Sequence, residues 1–185
     1  MSAEKFDPFI AEWISFSKNP NYNLVEKCLK MAQILEYPEL NISKYVEKIN
    51  EMGNSLKIKI GQVKNSTYHI SMLNEYLFDE LSFDGAEEDY YDPGNSFLNV
   101  VLDKKTGIPI TLSIIYAEVA KSIGLDLQII GFPGHVIVKY KEEIILDPFY
   151  SGRLLTIEDL EEILTRDFGE VVEFVPEYLN EATTD

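Results

Sequence analysis

The stretch GFPGHVIVKYKEEIILDPF, Gly131 to Phe149, decides how this chain is read. It holds two short runs rich in β-branched and apolar residues, HVIVKY and EIILDPF, divided by polar residues around Lys141, which is the pattern of a tight hairpin. His135, one of two histidines in the chain, opens the first run, and Asp147 closes the second. Directly opposed residues of an antiparallel pair share a face, with Cβ atoms about 5 Å apart. A turn centred on Lys141 sets His135 opposite Asp147. A two-residue loop of Lys141 and Glu142 sets it opposite Pro148 instead, so the pairing depends on one residue of register.

A carboxylate facing an imidazole orients the ring, selects its tautomer and stabilises its protonated form. Such a dyad serves a hydrolase or acyl transferase when a nucleophile stands on the other side of the ring, preferably at a helix N-terminus. The preceding segment, GIPITLSIIYAEVAKSIG, is the place to look. Pro109 suits a first helical turn, Gly124 ends the helix, and the segment is apolar over most of its circumference, which predicts a buried central helix. At about 100° per residue, Thr111, Glu118 and Ser122 fall in one sector expected to meet solvent, while Pro109, Ser113 and Tyr116 point inward. Ser113 and Thr111 are the candidate nucleophiles. No Gly-x-Ser-x-Gly elbow exposes the serine, and a buried helical serine commonly bonds the carbonyl four residues back, here that of Pro109.

Working outward, residues 1–80 read as a helical subdomain and 81–185 as the core, together one compact unit. Asn23-Leu24-Val25-Glu26 forms a capping box before KCLKMAQILEY. Asn41-Ile42-Ser43 opens YVEKINEMG, with Gly53 expected to end that helix. TYHISMLNEYLFDEL carries His69, which, like Cys28, reads as a packing or surface residue. DGAEEDYYDPGN, residues 84–95, is an acidic loop whose carboxylate spacing does not match a calcium loop. Ser96 is expected to cap FLNVVLDKK, the threonine of TIED (Thr156) a last helix, and EFVPEY to be extended.

The chain has 185 residues, of which 45% are hydrophobic, 12% aromatic and 26% charged, the composition of a globular domain. Its net charge of -16, without a compensating Lys/Arg cluster, argues against nucleic acid and anionic membrane as partners. No segment reaches the roughly 20 apolar residues of a membrane span, and MSAEKFDPFIAEW lacks the form of a signal peptide, so a cytoplasmic location is expected. The single cysteine, Cys28, allows no intrachain disulfide. One cysteine and two histidines are too few for a standard zinc site, and no cofactor is expected.

The segments NSFLNVVLDKKTGIPITLSIIYAEVAKSIGL, GFPGHVIVKY and ILDPFYSGRLLT closely resemble the bacterial SirB-like branch of the transglutaminase-like superfamily. The resemblance runs over roughly residues 25 to 165 and rests on NSFLN, GIPITLS, PGH and LDPF in combination. It implies an α+β, papain-like core with a buried central helix against a small antiparallel sheet, behind a helical lead-in. Active members use Cys, His and Asp in that order, with the cysteine opening the central helix. Carried over by position, His135 and Asp147 match the histidine and aspartate, while the cysteine position falls at or near Pro109, which offers no nucleophile. Cys28 lies in the wrong element to substitute. Lesser departures are Val136, Lys139 and Tyr150-Ser151-Gly152, which replaces the usual Gly-Gly pair.

Three functional readings follow. In the first, a pseudoenzyme acts as a binding or adaptor module for a protein partner through the degenerate His-Asp cleft, with Asn99, Pro109 and Tyr116 as candidate pocket residues. In the second, an amide or ester hydrolase uses Ser113 or Thr111 with His135 and Asp147. In the third, the His135–Asp147 pair only fixes the hairpin.

Overall fold

The computed structural model describes residues 8–141, 143–169 and 172–181. Four helices lead: α1 (Pro8–Ser17), α2 (Leu24–Leu35), α3 (Ile42–Ile60) and α4 (Ser66–Asn74), the last running on into a π-helical turn at Glu75–Glu80. The capping box of α2 forms as its sequence requires: the Glu26 N–H donates to Asn23 Oδ1 at 2.9 Å, and the Asn23 N–H donates to Glu26 Oε2 at 2.9 Å.

Gly53 does not end its helix. Helix α3 continues to Ile60 and stops at Gly61, whose positive φ of 64° suits glycine. Gly53 lies where α3 crosses the central helix α6 (Pro109–Ser122), and a Cβ there would stand 2.6 Å from Ser122 Oγ and 2.7 Å from Ser122 Cβ. Its missing side chain sets how closely the two helices approach, a requirement that local sequence does not display. Gly53→Val is therefore expected to lower unfolding free energy by about 1–3 kcal/mol through overpacking, measurable as a reduced urea midpoint with the slope unchanged.

The acidic loop begins as a short strand, β1 (Asp84–Gly85), paired in parallel with β2 (Thr106–Gly107). Between them stand a 3-10 turn at Pro93–Ser96 and helix α5 (Leu98–Lys104). Ser96 falls inside that turn, so Phe97 occupies the N-cap of α5 with no side-chain cap. After α6 comes an antiparallel sheet in the order β3 (Gln128–Ile130), β4 (Ile137–Tyr140), β5 (Ile144–Asp147) and β6 (Arg153–Leu154). Helix α7 (Ile157–Phe168) follows, its N-terminus held by a reciprocal box of Thr156 and Asp159. EFVPEY is not extended throughout; Pro176–Leu179 form a 3-10 turn, as proline in a first turn favours.

The hairpin register differs from the expected one. Val138 faces Leu146 and Tyr140 faces Ile144, so the turn is centred one residue beyond Lys141, and Lys141 itself turns the chain with a φ of 55°. A shift of the turn centre by one residue moves every pairing by two, which keeps each side chain on its face. His135, two residues before β4, therefore becomes a diagonal neighbour of Asp147 instead of its direct partner.

Side chains alternate across the sheet. Val138, Tyr140 and Leu146 join the large core formed by α2–α6, whereas Ile130, Ile137 and Ile145 pack with Leu160, Ile163 and Leu164 of α7. The large core runs from Val25 to Phe149, so residues on both sides of position 80 share it. The architecture is α+β, with the buried helix α6 on the antiparallel sheet. Among the described residues, no helix is long and apolar enough to cross a membrane.

One prediction about α6 fails. Thr111 does not meet solvent; it is 3% exposed, and Ile110 beside it is 46% exposed. The Thr111 hydroxyl is drawn inward by hydrogen bonds: Oγ1 donates towards the carbonyls of Asn95 and Ile108, at 3.0 and 3.1 Å, and accepts from the Ile108 N–H at 3.1 Å. A first-turn threonine closes unsatisfied helix-end groups, and that local gain outweighs the sector assigned by angle.

Candidate functional site

His135 and Asp147 meet although they are not paired across the ladder. His135 Nε2 lies 2.8 Å from Asp147 Oδ2, with both side chains buried. A carboxylate only accepts, so Nε2 donates, and in the neutral ring Nδ1 keeps the lone pair. The second oxygen, Asp147 Oδ1, accepts from the Phe149 N–H at 3.0 Å and caps the 3-10 turn Pro148–Tyr150. One carboxylate thus fixes both the ring and the turn after it. That turn brings the Phe149 ring to 6.1 Å and the Tyr150 ring to 6.4 Å from the imidazole, centroid to centroid.

These groups form one side of an open cleft of about 740 Å³, lined by Glu87, Tyr90, Tyr91, Pro109, Gly134, His135, Phe149, Tyr150 and Arg166. The first turn of α6 thus reaches the cleft through Pro109, at or near which the resemblance puts the nucleophile. No cysteine, serine or threonine is among these lining residues. Cys28 sits on α2, and burial pushes its thiol pKa up to about 11, which keeps it protonated and a poor nucleophile near neutral pH.

The other sequence-selected residues lie elsewhere. Ser113 is fully buried and its Oγ has no hydrogen-bond partner among the described residues, so the expected bond to the Pro109 carbonyl does not form. Thr111 is engaged at the helix start, as described above. Tyr116 points into the core, where its hydroxyl donates to Asn74 Oδ1 at 2.6 Å and burial raises its pKa. Asn99 lines a separate hollow with Tyr37, Leu40 and Tyr45, and its Oδ1 is buried without a hydrogen-bond partner among the described residues. Of the candidates, the structure brings together Pro109, His135 and Asp147.

Sequence reasoning missed Tyr90, Tyr91, Phe149, Tyr150 and Arg166 as cleft residues. Tyr90 and Tyr91 carried one available signal, adjacent aromatics inside an otherwise acidic loop. Their placement depends on β1 and β2 pinning that loop beside the α6 N-terminus, and two-residue strands leave no periodicity to read. Arg166 reaches the cleft only because α7 covers the far face of the sheet.

The first turn of α6 and the His135–Asp147 pair at the end of the sheet thus stand at one cleft. Residues 43–185 match the family described as the transglutaminase-like superfamily, and the chain belongs to it. It is 35% identical over 137 residues to a UPF0162 protein of Xylella fastidiosa, covering 72% of this chain and 49% of that one. A UPF0162 protein of Pseudomonas aeruginosa is 26% identical over 139 residues, covering 74% and 49%. Human F-box only protein 21 is 29% identical over 150 residues, covering 72% of this chain and 24% of the relative. The chain spans about half the length of these two UPF0162 relatives. No solved structure matches it.

Proposed function

We propose that this domain is a non-catalytic binding or adaptor module of the SirB-like branch, which presents the cleft beside His135 to a protein partner. The observation that carries this reading is Pro109 at the cleft, where chemistry of the family type needs a nucleophile facing the imidazole. The similarity to an F-box only protein supports a role in protein interaction. The hydrolase alternative requires Ser113 or Thr111 to leave a buried position and reach His135, and no observation favours it.

Two measurements test the proposal together. A fluorophosphonate probe is expected to leave the protein unlabelled, with Ser113→Ala as the control. A photo-crosslinking residue at position 150 is expected to capture a discrete protein, with capture lost in the folded Tyr91→Ala variant. Probe labelling that vanishes in Ser113→Ala would overturn the non-catalytic reading.

A further inference from the structure

We propose that the partner enters this cleft as a basic, extended peptide segment, held by the tyrosines and carboxylates of the 84–95 loop; the inference rests on the binding-module reading above. Tyr90, Tyr91 and Tyr150 form an aromatic rim that is 40%, 93% and 41% exposed. Their rings connect in series: Tyr91 to Tyr90 at 5.3 Å, Tyr90 to Phe149 at 6.0 Å, and Phe149 to Tyr150 at 5.0 Å between centroids. Such faces attract cations, and guanidinium groups stack on them especially well.

Glu87 belongs to this cleft and also to an adjoining groove of about 520 Å³ walled by Asp84, Glu88, Asp89 and Asp92. Asp92 is engaged by Lys104 at 3.4 Å, whereas among the described residues Glu87, Glu88 and Asp89 hold no cation. The same loop therefore supplies aromatic faces to one depression and carboxylates to the next. Two depressions strung along one loop suit an extended segment that spans both. Arg166 also lines the cleft, and Lys104 the adjoining groove. His135 lines the cleft with its ring fixed through Nε2 on Asp147.

The net charge of -16 would attract any polycation weakly, so the test must separate the cleft from the whole surface. Fluorescein-labelled hexa-arginine and hexa-glutamate are titrated by anisotropy at physiological salt against the full chain and the folded variants Tyr91→Ala and Glu87→Lys. Saturable binding of hexa-arginine is expected, weakened about 3–10-fold by Tyr91→Ala, the scale of a cation–π contact. Glu87→Lys should weaken it at least as much, and hexa-glutamate should not bind. No binding of hexa-arginine, binding indifferent to both substitutions, or preference for hexa-glutamate would overturn the inference. Selection from a random peptide library separates it from the broader reading. A non-basic peptide whose binding requires Tyr91 and Tyr150 would leave the adaptor module standing and the basic-peptide inference overturned, whereas recovery of no cleft-dependent peptide would defeat both.

Discussion

Replacing Asp147 by alanine is expected to lower the free energy of unfolding by about 3–5 kcal/mol, the scale of a broken buried pair. The side chain is 1% exposed, and its oxygens accept from His135 Nε2 and the Phe149 N–H. Alanine leaves both donors inside the protein without partners, at about 1–3 kcal/mol each. Asp147→Asn separates geometry from charge. Its amide oxygen can keep the Phe149 bond, while its NH₂ must donate to Nε2, which moves the ring hydrogen to Nδ1. The expected loss is about 1 kcal/mol, one ordinary hydrogen bond, together with an inverted tautomer. Urea unfolding gives the first quantity and long-range ¹⁵N correlation of the histidine the second. A loss below about 1 kcal/mol for the alanine variant would show that the pair does not anchor the hairpin.

Gly152→Ala is expected to cost about 3 kcal/mol, because the residue lies against Asn74, 78 positions away in sequence. Its φ is 70°, where an L side chain costs about 1–2 kcal/mol. An added Cβ would also stand 2.6 Å from Asn74 Cγ and 2.8 Å from Asn74 Nδ2. Asn74 bridges two elements: it accepts from the Tyr116 hydroxyl at 2.6 Å and donates to the Gly152 carbonyl at 3.0 Å. Displacing it frees the turn that carries Tyr150 from the central helix, with a further loss near 1 kcal/mol per hydrogen bond. Tyr116→Phe should cost only about 1 kcal/mol, and the double variant should lose less than the sum because both changes break the same bridge. Additive losses would mean that Asn74 does not couple the two sites. Tyr116, selected from the sequence as a pocket residue, is in this account a support for the wall of the pocket.

Sequence alone determined whatever rests on local chemistry. The capping residues Asn23 and Thr156, proline at the first turn of α6 and the runs that became β3, β4 and β5 could be read because caps, fixed φ and β-branched side chains act within a few residues. The meeting of His135 and Asp147 was anticipated even though the assumed register was not the real one, since an error of two pairings preserves the face. The tertiary structure alone decided where long-range packing competes with local signals. Gly53 has the look of a helix stop and is a helix crossing, because Ser122 lies against it. Thr111 has a solvent-facing angle and is buried, because helix-end groups and the Asn95 carbonyl claim its hydroxyl. The cleft itself is assembled from the 84–95 loop, the start of α6, the β5–β6 turn and α7, segments whose proximity is set by burial of the cores on the two faces of the sheet and not by any spacing along the chain.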